Sequence, residues 1–158
     1  MILLMLGAGL RVEEVADLTV ADVQITERRG KVIVREGKRG KYREVPLNSE
    51  VRKAIAYHLT VRGSNTHSAN KALFLGQRGP LVTMLIQYVV EKYGRQAGIE
   101  GLTAHRLRHT FCHDLVAAGE RLDVVVRLAG HKSINPTALY TTPGEKDLAI
   151  AAEKIGWE

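Results

Sequence analysis

Thr103-Ala104-His105-Arg106-Leu107-Arg108-His109 places two arginines and two histidines within five residues, directly after a threonine suited to capping a helix. The helix that Thr103 opens is predicted to run to Gly119. On it His105 and Arg108, three residues apart, face the same way, while Leu107 faces the core. A helix start also favours an anion, through its unpaired N–H groups and the positive end of the dipole. A second reading of this helix stays open. His105, His109 and His113 repeat every four residues beside Cys112, a spacing at which one helix face can hold zinc.

The flanks on both sides continue the helical pattern. Upstream, Thr83 is expected to cap a helix to about Gly98, after a polar loop over 63–71 and a short buried piece, Leu73-Phe74-Leu75. Asn48-Ser49 can cap a helix from Glu50 to about Arg62, with Val51, Ile55 and Leu59 on one face. Before it, Val20–Ile25, Lys31–Arg35 and Tyr42–Leu47 read as short antiparallel strands. Val32 and Val34 alternate with charged residues, and Gly30 and Lys38-Arg39-Gly40 stand at the turns. At the start, Leu3, Leu6, Leu10 and Val15 have roughly helical spacing, which Gly7 and Gly9 should break before a second helix from about Val12. Downstream, a helix over Asp123–Ala129 ends at Gly130, and Glu145–Ile155 aligns Leu148, Ala152 and Ile155 on one face. The chain therefore reads as mainly α (α+β), with one small antiparallel three-stranded sheet, in one domain over residues 1–158.

Composition narrows the function without naming it. The 158 residues are 45% hydrophobic and 25% charged, which suits a globule with a real core. A net charge of +6 favours a polyanionic partner. One cysteine, Cys112, cannot form an internal disulfide, so a reducing cytoplasm is the expected compartment. Met1-Ile2-Leu3-Leu4-Met5-Leu6 resembles the apolar core of a signal peptide, but it lacks a basic leader and runs straight into Arg11-Val12-Glu13-Glu14. No apolar run approaches the ~20 residues that span a bilayer, so no membrane partner is expected. An apolar helix that opens without a capping residue looks cut, and the chain is expected to be part of a longer protein.

Four separated segments could carry chemistry. Gly9-Leu10-Arg11-Val12-Glu13-Glu14 puts an arginine at a helix start with a carboxylate three residues on, so Glu14 could orient the Arg11 guanidinium or form only a surface pair. Gly37-Lys38-Arg39-Gly40-Lys41-Tyr42-Arg43 is a basic turn between strands; Arg39, Lys41 and Arg43 could reach DNA phosphates, or merely solvate an edge. The third is His105-x-x-Arg108. The fourth is Leu128-Ala129-Gly130-His131, followed nine residues later by Tyr140.

Taken together and in order, Arg, Lys, His-x-x-Arg, His and Tyr resemble the active site of the tyrosine recombinases, or phage integrase family. The matching stretches are Gly9-Leu10-Arg11-Val12-x-Glu14, Gly37-Lys38, Val45-Pro46-Leu47, His105-x-Leu107-Arg108-His109, Leu128-x-Gly130-His131 and Tyr140. The resemblance implies a DNA strand-exchange enzyme with Tyr140 as nucleophile. Arg11 and Arg108 would clamp the nonbridging phosphate oxygens through forked, charge-assisted hydrogen bonds that lysine cannot reproduce. Lys38 would protonate the leaving 5′ oxygen, although Lys41 lies in the same turn. His105 would act as general base and His131 would hydrogen-bond the phosphate. Because a free tyrosine has a pKa of about 10, the site must remove its proton or stabilise the phenolate. A 3′-phosphotyrosine link keeps the bond energy, so no metal, ATP or other cofactor is expected.

The resemblance also implies double-stranded DNA as partner and a homo-tetramer coupled through the helix over 145–157, which could equally fold back on its own domain. The family's N-terminal DNA-clamping domain has no counterpart in these residues, so weak, salt-dependent and mostly non-specific DNA binding is expected. Topoisomerase IB-like relaxation and a non-catalytic DNA-binding remnant are the alternatives.

Overall fold

The computed structural model describes residues 1–36, 41–63 and 70–130. The apolar opening is a core helix, α1 (Ile2–Ala8), which buries Leu4, Met5 and Ala8. It stops at Gly9, whose φ of +63° is the left-handed region that a side chain resists. A short second helix, α2 (Val12–Asp17), leaves that corner at a new angle. The glycine break expected near 7–9 is therefore real, and it sets Arg11 at a sharp corner.

Val20–Asp22 departs from the expected strand by forming a 3-10 turn. The cause is local. The Asp22 carboxylate accepts from the Thr19 amide (2.9 Å) and hydroxyl (2.6 Å), which winds the backbone before extension begins. The sheet then runs β1 (Val23–Ile25), β2 (Gly30–Glu36) and β3 (Lys41–Pro46), antiparallel and in that order. Gly30 is the first residue of β2, opposite Ile25, and the turn lies just before it, where the Thr26 amide reaches the Arg29 carbonyl (2.7 Å). In β2 and β3, Val32 lies opposite Val45 and Val34 opposite Arg43. The three valines are buried, so this face of the sheet is the core face.

Helix α3 (Ser49–Gly63) follows, capped by Asn48, whose side-chain oxygen accepts from the Val51 amide (2.9 Å). A small hairpin, β4 (Leu75–Gly76) and β5 (Gly79–Pro80), leads into α4 (Thr83–Gln96). Val82 rather than Thr83 occupies the N-cap of α4, and no side chain caps it. Helix α5 (Ala104–Ala117) has the expected cap, the Thr103 hydroxyl accepting from the Arg106 amide (3.2 Å). Helix α6 (Leu122–Ala129) ends at Gly130, again left-handed with φ +67°.

Helix α1 packs against α5 and α3, and α2 packs against α4. Their apolar stripes join the sheet's valines in one core that includes Leu10, Val15, Leu73, Ile86, Val90 and Leu107. A smaller cluster, Cys112, Val125 and Ala129, holds α6 against α5. No described helix is long and apolar enough to cross a membrane. The expected helix over 145–157 lies outside the described residues.

Candidate active site

Four backbone segments that are distant in sequence meet on one side of this core: the α1–α2 corner, β3, the first turns of α5 and the end of α6. A single carboxylate joins two of them directly, and its two arginine partners reach a third. Glu14 accepts from the Arg11 amide at 2.8 Å and from Arg11 Nη1 at 3.2 Å. It also takes a forked pair from Arg43, Nη1 at 2.8 Å and Nη2 at 2.9 Å. Arg43 Nε reaches the Leu128 carbonyl at the end of α6 (3.2 Å), and Arg11 Nη2 reaches the Gly130 carbonyl (3.2 Å). Burial pushes the Glu14 carboxyl up, but the hydrogen bonds from Arg43 and the Arg11 amide, with both guanidinium charges, hold it below the usual carboxylate range.

Arg108 completes the cluster from α5. It is only 5% exposed and donates through Nη1 to the Gly9 carbonyl at 2.5 Å. The corner that carries Arg11 is thereby tied to the helix that carries Arg108. Gly9 permits this approach, since a Cβ there would overlap the Phe111 ring. Burial, then the like charge of Arg11, pulls the Arg108 pKa below the ordinary arginine value. A guanidinium nevertheless stays charged in proteins.

The cluster is thus three guanidinium groups around one carboxylate, a local surplus of positive charge. Among the described residues, Arg108 Nη2 is the one buried side-chain polar atom with no hydrogen-bond partner. A buried donor of this kind costs free energy unless something accepts from it. The Arg11 side chain, 43% exposed, offers further donors toward solvent. Such an arrangement can bind an anion with several equivalent oxygens and stabilise charge that develops on it.

His105 lies exposed in the first turn of α5. Arg106, its neighbour, is occupied by the Glu100 and Gly101 carbonyls (both 3.1 Å), which leaves Arg108 as the arginine of this segment directed into the cluster. The zinc reading of α5 finds no ligand set. Cys112 is buried against α6 while His105, His109 and His113 are exposed, and no group of three metal-binding side chains forms among the described residues.

Arg43 is a correction. Its place in the basic turn predicts a side chain facing DNA, but that side chain is only 10% exposed and its guanidinium is engaged by Glu14 and Leu128. A period-two signal could have placed it, because Arg43 and Val45 share one face of β3, and Val45 is buried. Lys38, Arg39, His131 and Tyr140 lie outside the described residues, as does the side chain of Lys41.

A model of the phage integrase family matches residues 1–146. The chain belongs to the phage integrase family. Among curated relatives, this phage integrase family member is similar to tyrosine recombinase XerA of Thermococcus kodakarensis, 33% identical over 153 residues, 97% of this chain and 53% of the relative. It is similar too to tyrosine recombinase XerC of Roseiflexus castenholzii, 34% identical over 148 residues, 89% of this chain and 46% of the relative. The chain therefore spans about half the length of the curated relatives it matches. In three dimensions it is similar to the crystal structure of XerA recombinase, with a TM-score of 0.82 and 28% identity over 98% of this chain and 57% of that one. The XerH site-specific recombinase bound to its difH substrate gives a TM-score of 0.80 at 28% identity, over 96% of this chain and 44% of that one. The small sheet on a helical core is thus the fold of tyrosine-recombinase catalytic domains within the phage integrase family.

Proposed function

We propose that the chain is the catalytic part of a site-specific DNA recombinase that breaks and rejoins strands through a 3′-phosphotyrosine link on Tyr140. The observation that carries the reading is the guanidinium cluster, with Arg108 Nη2 buried and unpaired beside a half-exposed Arg11. A phosphodiester supplies what that cluster lacks, two nonbridging oxygens that gain charge as the phosphorus is attacked. The forked geometry of arginine matches those oxygens, and the buried position strengthens the interaction.

In this mechanism Arg11 and Arg108 hold the scissile phosphate and stabilise its transition state. The Tyr140 oxygen bonds to phosphorus as the bond to the 5′ oxygen breaks. His105 accepts the tyrosine proton, Lys38 protonates the leaving oxygen, and His131 donates to the phosphate. Duplex DNA is the partner, and it would approach from the side where Arg11 and His105 are exposed. Arg39 and Lys41 are the phosphate contacts we assign outside the reacting centre. The active assembly is a tetramer on cytoplasmic DNA, joined through residues 145–157. The similarity to recombinases described as bound to DNA substrates supports the partner.

The test uses a pool of nicked duplexes with randomised flanks, which can trap a covalent intermediate whichever sequence the enzyme recognises. A slower protein–DNA band on a denaturing gel, lost in Tyr140→Phe and insensitive to EDTA, is the expected result. A band without exchanged strands would favour relaxation chemistry. Complete absence of a band would favour a binding remnant.

A further inference from the structure

We propose that Arg43 is a positioning residue for strand cleavage, one that locks Glu14 and the last turn of α6 into a single frame and so fixes the Arg11 guanidinium. The inference rests on the recombinase reading for its chemistry, but its geometry stands apart from it.

Three observations converge on this side chain. Its two terminal nitrogens fork onto the two oxygens of Glu14, and the same carboxylate holds the amide and Nη1 of Arg11. Its Nε is engaged by the Leu128 carbonyl, two residues before the Gly130 carbonyl that receives Arg11 Nη2. Finally, the α6 terminus is shaped to admit it: a Cβ on Gly130 would stand 2.6 Å from Arg43 Cζ. Of the two partners that restrain Arg11, Glu14 is therefore held by Arg43 directly, and the Gly130 carbonyl lies two residues beyond the Leu128 carbonyl that Arg43 engages.

A merely stabilising role accounts for this poorly. A buried ion pair gives little net stability compared with apolar residues of the same volume. What a planar fork supplies is fixed distance and direction, which lysine does not. Its surroundings do not favour a DNA contact either, since Glu14 and Leu128 engage all three guanidinium nitrogens. Arg43 would act on cleavage through Arg11.

The frame predicts a pH signature. Glu14 faces Arg11 from its own corner, Arg43 from β3 and Arg108 from α5, with the Leu128 and Gly130 carbonyls at the end of α6. Without Arg43, protonation of Glu14 becomes easier, and a protonated Glu14 loses its charge-assisted hold on Arg11. The acid limb of the rate profile should then move to higher pH.

The experiment compares the wild-type chain with Arg43→Met and Arg43→Lys. Three quantities are read: the single-turnover rate of covalent adduct formation at saturating nicked duplex, the Kd for that duplex, and the rotation of the Arg11 guanidinium by ¹⁵N NMR. Both variants should lose roughly 10–100-fold in rate, the range a small misplacement of a reacting group produces, with Kd unchanged. Arg11 rotation should be restricted in the wild type and freed in both variants. If Arg43→Met does not fold, Arg43→Lys, which keeps the charge, carries the comparison. A wild-type rate with Arg11 still restricted overturns the proposal, and so does a loss confined to Kd. If the wild type forms no Tyr140-dependent adduct, the recombinase reading fails. The NMR comparison then decides the positioning role by itself, and unchanged Arg11 rotation would end it.

Discussion

Alanine at position 130 should cost much more stability than alanine at position 119, although both glycines end helices with left-handed backbones. Gly119 has φ +83° and Gly130 φ +67°, so each alanine carries a backbone penalty of about 1–2 kcal/mol. Around Gly119 a new Cβ meets nothing within 4 Å. At Gly130 it would lie 2.6 Å from Arg43 Cζ and Nη1 and 2.8 Å from Nε. The guanidinium cannot swing aside freely, because Glu14 and Leu128 hold all three of its nitrogens. Moving it sacrifices at least one hydrogen bond to or from a charged group, worth about 1.5–3 kcal/mol. Gly130→Ala should therefore destabilise by roughly 2.5–5 kcal/mol and Gly119→Ala by only about 1–2 kcal/mol. Urea unfolding of both variants measures the difference. In an Arg43→Met background the two alanine penalties should converge, because the clash has gone. Equal penalties in the wild-type background would refute the claim that Gly130 is required for the Arg43 fork.

Three further outcomes follow from the same structure. Asp22→Asn should lose about 1–3 kcal/mol at pH 7, since Asp22 is buried and binds Thr19 and Arg35. Burial raises the Asp22 carboxyl, but Thr19 and Arg35 bring it below its ordinary value. Its contribution is therefore full above the unfolded pKa of about 3.9 and fades as pH falls through the lower folded value; stability curves of wild type and variant against pH should converge only in acid. Leu4→Ala should cost about 2–5 kcal/mol in denaturant unfolding, as expected for a core helix and not for a dispensable leader. Arg108→Lys should fold, yet form covalent DNA adduct about 10²–10³-fold more slowly in single turnover, because a single nitrogen does not reproduce the planar fork that holds the Gly9 carbonyl through Nη1 and leaves Nη2 for a phosphate.

The parts of the site that follow from local chemistry were legible in the sequence. Gly9 and Gly130 marked helix ends because left-handed backbone favours glycine, and Glu14 was within reach of Arg11 because residues three apart share a helix face. The Thr103 cap and the inward Leu107 followed from the same local rules. What escaped was set by distant partners. Arg43 looked like one more cation on a basic turn, and only its pairing opposite Val34 and its approach to α6 reveal it as internal. Thr83 had a capping residue's chemistry but is already inside the helix, where Ile86 and Val90 fix the register by packing into the core. Val20–Asp22 had strand-like composition, which the Asp22–Thr19 hydrogen bonds overrode.

Mapping the covalent adduct would show whether Tyr140 is the nucleophile. The chain has five tyrosines, and the other four, Tyr42, Tyr57, Tyr88 and Tyr93, are all exposed, so accessibility alone would not select Tyr140. Nicked-duplex adduct would be purified, digested with trypsin and nuclease, and sequenced by tandem mass spectrometry. The expected product is a nucleotide joined through its 3′ phosphate to Tyr140 and to no other residue. A 5′ linkage, or an adduct on any of the four exposed tyrosines, would contradict it.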